Sequence, residues 1–448
     1  MWEKLKKIKP SSWQIIALGY ATVILIGSLL LSTPIASKER IWTSYIDAIF
    51  TATSATCVTG LVVFDTFTYW SLFGQIIILC LIQIGGLGFM TLISLIAIMT
   101  KRQIGIYERT ILVKSAGTMR FAGIVKLIKK IIIGTLCFEA LGTILLSIAF
   151  IPQMGFFNGL YFALFHAISA FCNAGFDLMG ISGAFSSLSG YINNPLVNIT
   201  VIMLIIMGGI GFIVWGDIWD CRFKSKHFQW HTKIVLVTTA GLIVVSTALY
   251  MLFERNNVYK DMNFGSSLLA GLFQAVTPRT AGFSTVDINS LSDSSILLTM
   301  LLMFVGGSSG STAGGIKITT FVVILFGLKT IVKPNSSITI GKKKLEEGVL
   351  RQALAIFSSY MLAIFFCALI ICAIEPFSLK MIVFETISAL GTVGLSFGIT
   401  PQLSGVSKLI IGLLMYAGRV GILTIVLAFV QKRSNPPIQK PTGELLIG

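Results

Sequence analysis

The sequence has few charged residues and few of the side chains that carry catalysis. Of its 448 residues, 12% are charged, 55% are hydrophobic and only three are histidines. It shows no catalytic nucleophile beside a base, no metal cluster and no paired acids, so a membrane-bound enzyme or a signalling scaffold has little support. A glycine-rich P-loop for phosphates is also missing, and the chain therefore does not itself drive transport with ATP through such a loop.

Cysteine offers no structural chemistry either. The seven cysteines lie mainly inside apolar segments, and none forms a spaced pair with histidine that would indicate a metal site. We therefore predict neither a disulfide nor a zinc site. The cysteines are Cys57, Cys80, Cys137, Cys172, Cys221, Cys367 and Cys372.

Long apolar runs dominate what is present. A soluble protein of this composition could not cover its surface with polar groups, whereas runs of about 20 residues can cross the ~30 Å hydrocarbon layer of a membrane. We predict eight spans and no soluble domain. A signal peptide is the alternative for the first span, but its apolar run is long and Thr33 to Ser37 form a poor cleavage site. The spans cover approximately residues 12–33, 71–99, 131–152, 195–216, 233–253, 293–331, 352–375 and 405–431.

The charges that do occur are biased towards basic residues. The net charge is +16, and 25 of the 34 Lys and Arg lie in the N-terminus, in residues 101–130, 217–233 and 329–351, and after residue 431. The connections between these segments hold few basic residues. The positive-inside rule then places both termini of a multi-pass membrane protein in the cytoplasm. The basic excess indicates topology and not a partner nucleic acid.

Glycine recurs at a regular spacing. Four short apolar stretches each end in a glycine followed by Leu or Phe, and these glycines lie 115, 107 and 112 residues apart. Four copies of one unit explain the pattern, at residues 1–110, 111–225, 226–340 and 341–448. The stretches are Ile46 to Gly60, Leu160 to Gly175, Leu268 to Gly282 and Met381 to Gly394, and a second set follows at Gly85-Gly86, Gly208-Gly209, Gly306-Gly307 and Gly418.

The short stretches predict re-entrant loops. A helix of ~12 residues is ~18 Å long, enough to enter half of the bilayer and return. Because each unit has two spans, the units are parallel and can surround one axis. We predict an all-α membrane protein with four units around a pseudo-fourfold pore axis, eight spans and four re-entrant pore helices. The alternative is that the glycines only allow helices to pack closely, which stays equally open for Gly85-Gly86 and Gly208-Gly209.

Such loops suit a dehydrated cation. Non-helical backbone inside a membrane must be satisfied by protein or by a water-filled cavity. Carbonyls directed at a shared axis can replace the hydration shell of a cation, and glycine allows the backbone to turn its oxygens inward. The negative ends of the preceding short helices favour the same ion.

The loop sequences resemble the Trk/Ktr/HKT superfamily of K⁺ transporters, whose pore subunit carries four M1-P-M2 units in one chain. The resemblance covers essentially the whole sequence, and the segments Phe165 to Phe176 and Gln274 to Phe283 resemble Ktr-type bacterial members. It implies K⁺ preference and a selectivity filter without the full signature of tetrameric K⁺ channels, hence less stringent. The implied filter, whose backbone carbonyls would bind K⁺, comprises Cys57, Val58, Thr59, Gly60, Cys172, Asn173, Ala174, Gly175, Arg279, Thr280, Ala281, Gly282, Gly391, Thr392, Val393 and Gly394.

The sixth span is longer than the bilayer requires and contains a segment that cannot form a regular helix. Its glycines and hydroxyls predict an intramembrane gate loop below the filter, and a rigid packing kink is the alternative. Arg419, inside the last span, should face the pore or anchor the loop, whereas Lys317 could extend to the cytoplasm. The predicted gate comprises Gly306, Gly307, Ser308, Ser309, Gly310, Ser311, Thr312, Ala313, Gly314, Gly315, Lys317 and Arg419.

Several further polar residues have open roles. Glu139 is a carboxylate deep in an outer span and is either functional or a structural partner. Arg279 could pair with Glu385. His166 is interpreted as a packing residue of a pore helix. Three acids that follow the loop glycines could concentrate cations at the outer mouth or be ordinary solvated loop residues; they are Asp65, Asp177 and Asp287.

The resemblance also implies partners. Ktr-type members suggest a homodimer in the bacterial cell membrane on a cytoplasmic RCK-type regulatory ring. ATP or ADP would bind to the ring and not to this chain, which needs no covalent cofactor. The tail from Pro441 to Gly448 resembles the family's segment at the dimer interface, and the basic residues 101–130 and 342–344 offer docking surface. The main rival is a strictly coupled secondary cation symporter, although such transporters usually show inverted halves.

Overall fold

The computed structural model describes residues 11–88, 91, 110–111, 124–181, 183–222, 224–332, 339–340 and 343–429. Several predictions lie outside these residues. They concern the basic N-terminus, the end of the second span, most of the basic segment 101–130, Lys342 and the tail after residue 429.

The described chain is mainly helical. Four helices are long and apolar enough to cross a membrane, and the helices Pro195–Gly209 and Phe212–Asp220 form a pair bent by 92° that passes the same criterion as one span. The protein is therefore a membrane protein. The helices are α1 (Ser12–Ser32), α2 (Tyr45–Cys57), α3 (Thr66–Tyr69), α4 (Leu72–Leu87), α5 (Ile124–Met154), α6 (Phe156–Cys172), α7 (Pro195–Gly209), α8 (Phe212–Asp220), α9 (Trp230–Phe253), α10 (Phe264–Val276), α11 (Asp293–Phe304), α12 (Ile318–Val332), α13 (Glu347–Ile374), α14 (Leu379–Gly391), α15 (Gly405–Val420) and α16 (Ile422–Phe429).

One small element departs from the predicted all-α class. Strands β1 (Thr339–Ile340) and β2 (Lys343–Lys344) pair antiparallel in the connection before α13. The Trp230 indole donates to the Ile340 carbonyl at 3.1 Å, so this hairpin packs on the start of α9. Strands of two residues are too short to show an alternating pattern of polar and apolar residues, so they were not predicted.

A long helix, a short helix and a broken helix follow one another along the chain. The long helices α1, α5, α9 and α13 pack on the short helices α2, α6, α10 and α14 that follow them. Helix α4 packs on α6, α7 packs on α10, and α11 packs on α14. Helix α15 packs on α2 and so closes the series. The short helices are consequently enclosed, while apolar side chains such as Leu141 and Ile144 of α5 face outward at 54% and 61% exposure.

Glycines with positive φ lie at or near the ends of three helices, α4, α7 and α15. Gly88, Gly211 and Gly421 have φ values of +83°, +99° and +91°, a conformation that side-chain-bearing residues rarely adopt. Each lies three residues after Gly85, Gly208 or Gly418. The sequence predicted a break only in the sixth span, where residues 305–317 separate α11 from α12. Because α7, α11 and α15 end at such breaks, none of these three described helices is long enough to span on its own.

Two buried carboxylates join helix ends on the side where the short helices begin. The Glu254 carboxylate, at the end of α9, accepts from the Ser292 backbone N–H at 2.9 Å. The Glu375 carboxylate, at the end of α13, accepts from the Ser404 N–H at 2.8 Å. Because Ser292 and Ser404 cap α11 and α15, these bonds fix where the two helices start.

Candidate functional site

The four repeated glycines meet in a closed ring. A Cβ atom added to Gly60 would lie 3.1 Å from the Cα of Gly175, and one on Gly175 would lie 3.0 Å from the Cα of Gly282. The corresponding distances are 3.3 Å from Gly282 to Gly394 and 3.0 Å from Gly394 to Gly60. The ring follows the order of the chain and closes on itself, so the structure brings together all four loops around one centre.

Each glycine faces a carbonyl of the neighbouring loop. The oxygen of Ala174 would lie 2.5 Å from a Cβ at Gly60, and that of Ala281 would lie 2.8 Å from one at Gly175. The Val393 and Thr59 carbonyls lie in the same way against Gly282 and Gly394. Four carbonyls from the residues that precede the glycines therefore alternate with four residues that have no side chain. This arrangement can present oxygen ligands to a small cation without an intervening side chain.

The ends of the short helices create this geometry. Helix α2 ends with Val58 in the left-handed conformation at φ 58°, and the Thr59 N–H donates back to the Ser54 carbonyl at 2.8 Å. Asn173 and Thr392 end α6 and α14 in the same conformation. This backbone state costs a non-glycine residue about 1–2 kcal/mol, which these bonds offset. The chain thus turns away from each helix axis directly before the ring.

The third loop takes a shorter route. Helix α10 ends at Val276, Thr280 has φ 72°, and the Ala281 N–H donates to the Thr277 carbonyl at 2.9 Å. The equivalent bond in the first loop spans one residue more. The buried Arg279 side chain leads away from the ring, and its Nη2 donates to Thr239 Oγ1 at 3.4 Å. The four sides of the ring are consequently similar but not identical.

A cavity of about 240 Å³ lies beside the ring, on the side where the short helices begin. It is lined by the four glycines and by all three acids that were predicted at an outer mouth. The carboxylates of these acids also accept hydrogen bonds from nearby backbone N–H groups. Asp65 accepts from the N–H groups of Thr68 and Phe185 at 2.7 and 3.0 Å, and Asp177 accepts from Met179 at 2.9 Å. Asp65 thus joins the segments after the first and second loops, whereas Asp287 is exposed and accepts from Asn289, two residues later.

The glycine-rich segment 305–317 lies against the ends of the short helices α6 and α14. The Ser308 N–H donates to the Gly209 carbonyl at 2.9 Å, and the Thr312 hydroxyl donates to the Phe171 carbonyl at 3.3 Å. A Cβ on Gly314 would overlap Thr392. The segment therefore contacts the second and fourth loops directly, on the side opposite to the acid-lined cavity.

Two positively charged side chains, Arg419 and Lys317, donate hydrogen bonds to carbonyls in and around this segment. The Arg419 guanidinium donates to the carbonyls of Thr312 and Gly85, and to that of Gly86 at 3.2 Å. Lys317 Nζ donates to the Ala313 carbonyl at 2.7 Å, so it does not extend away from the loop as one alternative had it. Arg419 joins the segment to the end of α4, and it lies near a helix end because α15 stops at Val420.

Comparison with known proteins decides the family. The sequence model of the family TrkH, described as cation transport protein, matches residues 13–438. The chain belongs to the TrkH family. It is 39% identical to the "Ktr system potassium uptake protein B" of Bacillus subtilis (strain 168), with 99% of this chain and 100% of that protein covered. It is 37% identical to the "Potassium/sodium uptake protein NtpJ" of Enterococcus hirae, covering 99% and 98%.

A solved structure shows the same fold. The potassium transporter TrkH from Vibrio parahaemolyticus matches with a TM-score of 0.74 and 20% sequence identity, over 95% of this chain and 86% of the other. The predicted membership of the Trk/Ktr superfamily is thus confirmed. The TrkH family consists of cation transporters and not of enzymes.

The second glycine set of this TrkH-family chain serves close packing. A Cβ on Gly85 would overlap the Thr56 carbonyl, one on Gly208 the Phe171 carbonyl, and one on Gly418 the Leu390 carbonyl. These contacts favour the packing alternative, because each glycine lets a second helix touch the last turn of a short helix. Gly306 differs and lies against the Gly314 carbonyl within the segment 305–317.

The suggested pairing of Arg279 with Glu385 is wrong. Glu385 Oε1 accepts from the Ser396 hydroxyl at 3.2 Å and from Thr400, both after the fourth loop. The spacing of residues along the chain could not tell which side of the loop Glu385 faces. The packing role of His166 is supported, because it is fully buried and its Nε2 accepts from the Leu178 N–H at 3.3 Å.

Glu139 has a defined partner. Its Oε2 accepts from Gln83 Nε2 at 3.2 Å, and the Cys172 thiol lies 3.6 Å from Gln83 Oε1. This chain of contacts connects α5 and α4 to the last residue of α6. The structural alternative for Glu139 therefore has direct support, and Gln83 is a residue that the sequence pattern did not single out.

Proposed function

We propose that this chain is the pore-forming subunit of a K⁺ uptake system, with channel-like flux through a filter formed by the glycine loops. The closed ring of Gly60, Gly175, Gly282 and Gly394 carries this proposal, because four loop carbonyls alternate with four residues that lack side chains. The relatives named as potassium uptake proteins support the choice of ion. In this proposal, eight spans form four M1-P-M2 units around a pseudo-fourfold axis. The ring then lies on that axis inside the membrane.

The membrane potential supplies the driving force in this proposal. It contributes ~2.3 kcal/mol per charge per 100 mV, and ~1.4 kcal/mol corresponds to a factor of ten. The potential alone can thus sustain a K⁺ gradient of roughly 50-fold. No nucleotide on this chain is needed for transport itself.

Control of such a pore requires a gate and a partner. The segment 305–317 is the proposed gate, held across the inner side by Arg419 and Lys317. The proposed assembly is a homodimer on a cytoplasmic regulatory ring that binds ATP or ADP, with the basic cytoplasmic segments as docking surface. The name "Ktr system" of the Bacillus subtilis relative supports a protein that works with a second component.

Serine substitutions at the ring test the filter. Gly60→Ser and Gly394→Ser add a side chain where neighbouring backbone leaves no room. We expect the K⁺/Na⁺ flux ratio in proteoliposomes to fall by about tenfold or more, equivalent to ~1.4 kcal/mol. Gly241→Ser on α9 is the control, because a Cβ there meets nothing within 4 Å. An unchanged ratio in folded ring variants would reject the filter.

A strictly coupled cation symporter is the second candidate. The name of the Enterococcus hirae relative includes sodium as well as potassium. A fixed Na⁺:K⁺ stoichiometry over a range of membrane potentials would favour coupling, whereas K⁺ flux that continues without Na⁺ supports the channel-like pore. Uptake in a K⁺-uptake-deficient strain, with and without a regulatory ring protein, would show whether a partner is needed.

A further inference from the structure

Each pore loop contains a buried hydroxyl that the sequence analysis did not single out. The four residues lie in the last turn of the short helix or directly after it, six residues before the ring glycine in three loops and five in the shorter third loop. All four are fully buried. These filter hydroxyls are Ser54, Ser169, Thr277 and Ser388.

The filter hydroxyls reach forward to the ring. Ser54 Oγ accepts from the Gly60 N–H at 3.1 Å, and Ser388 Oγ accepts from the Gly394 N–H at 3.1 Å. In the other two loops the hydroxyl donates to the carbonyl that follows the ring glycine: Ser169 Oγ to Phe176 at 2.7 Å, and Thr277 Oγ1 to Phe283. The first and fourth loops are neighbours in the ring, as are the second and third.

The backbone carbonyls of the same four residues hold each loop at a second point. The carbonyls of Ser54, Ser169 and Ser388 each accept, at 2.8 Å, from the residue before the ring glycine, and that of Thr277 does so at 2.9 Å. Those preceding residues supply the four carbonyls that face the neighbouring glycines. Each filter hydroxyl residue therefore fixes its loop at two points: the residue before the glycine, and either the glycine N–H or the carbonyl of the residue after it.

Ordinary helix hydroxyls in this chain behave differently. Ser and Thr inside helices commonly donate to the carbonyl one turn earlier, as Ser246 and Thr247 do to Leu242 and Ile243 at 2.6 and 2.7 Å. The filter hydroxyls instead bond to atoms six or seven residues later. Four independent loops share this unusual direction, although their other side chains differ.

We propose that the filter hydroxyls are positioning residues for cation discrimination. The inference rests on the proposed function of the ring as a filter. They hold the carbonyl oxygens at the spacing that fits one dehydrated cation and prevent the loops from closing around a smaller one. In the first and fourth loops the hydroxyl works as an acceptor, and in the second and third as a donor.

Removing one hydroxyl without changing the size of the side chain tests the inference. Ser54→Ala and Thr277→Val are the variants, assayed as full-length protein in liposomes for K⁺ and Na⁺ flux. We expect the K⁺/Na⁺ ratio to fall by about fivefold, the factor that corresponds to one hydrogen bond of ~1 kcal/mol. Ser54→Thr and Thr277→Ser keep the hydroxyl and should restore the ratio.

Matched controls separate positioning from a general loss of structure. Ser246→Ala and Thr247→Val remove hydroxyls that bond within α9, and the ratio should stay as in the unmodified chain. If Ser54→Ala does not fold, Ser54→Cys replaces it, because a thiol keeps the shape and is a weak acceptor. A decrease of K⁺ and Na⁺ flux by the same factor would overturn the inference, since a merely structural role leaves the ratio unchanged.

The comparison with the glycine variants shows which proposal fails. If Gly60→Ser lowers the ratio and the hydroxyl variants do not, the filter stands and the positioning role is wrong. If neither set changes the ratio, the filter assignment itself fails and the hydroxyl inference fails with it.

Discussion

Single glycines in this chain perform two separate tasks. The ring glycines have positive φ and face carbonyls of another loop, so both their conformation and their missing Cβ matter. Gly85, Gly208 and Gly418 only need the missing Cβ, because a second helix touches the last turn of a short helix there. Similar sequence spacing thus conceals different physical requirements.

Alanine at a packing glycine should loosen the pore helix. In Gly418→Ala the new methyl group meets the Leu390 carbonyl and forces α14 and α15 apart, at a cost of about 1–3 kcal/mol. Gly412→Ala on the same helix is the control, because a Cβ at that position meets nothing within 4 Å. Thermal unfolding in detergent and K⁺ flux measure the effect. Equal stability and flux for both variants would contradict the packing role.

At the scale of single residues, the sequence predicted which positions form the ring, but it did not predict which side chains contact one another. The repeat of glycine before Leu or Phe was sufficient to find all four ring positions. The partners of Arg279, Glu385 and Glu139 were not predictable, because burial forces each to find a partner but the side of the helix depends on the three-dimensional packing. The role of the filter hydroxyls was not predictable either, since serine and threonine near a helix end are common.

Broken helices are the main feature at the scale of elements. Gly88, Gly211 and Gly421 stop or bend their helices at positions three residues after the packing glycines. Apolar length predicted where these segments lie but not that they are interrupted, because glycine inside an apolar run is also common in continuous membrane helices. The extra length and hydroxyl content of the sixth span gave a signal only for the segment 305–317.

Shortening that segment should open the proposed gate. Removal of residues 309–311 leaves Arg419 and Lys317 in place but shortens the segment 305–317, which is proposed to close the inner side of the ring. We expect K⁺ flux in proteoliposomes to rise several-fold. Arg419→Gln should act in the same direction, because it removes the charge that binds the carbonyls of Thr312 and Gly85. Lost flux in a normally folded protein would favour a rigid kink.

The whole molecule closes on itself through its first and last parts. Helix α15 packs on α2, and Lys408 Nζ lies 2.8 Å from Asp47 Oδ1 in a mostly buried ion pair. The sequence predicted four similar units and a shared centre from spacing alone. It could not predict this contact, since residues more than 300 positions apart carry no local pattern.

Charge distribution predicts how the molecule lies in the membrane. Lys226 belongs to a basic connection that should be cytoplasmic, and Lys260 to a connection on the opposite side. A membrane-impermeant maleimide should label Lys260→Cys in intact cells, and Lys226→Cys only after permeabilisation. The unmodified chain gives the background from its native cysteines. Labelling in the reverse pattern would invert the proposed orientation.

The unequal loops of the ring have a genetic consequence. Since one polypeptide supplies every quadrant of the aperture, the stoichiometry of its parts is fixed at translation. A mutation therefore alters a single quadrant in every copy made from that gene and never mixes with intact quadrants from another allele. The proposed pore can therefore diversify one side at a time, which an assembly of identical subunits cannot do.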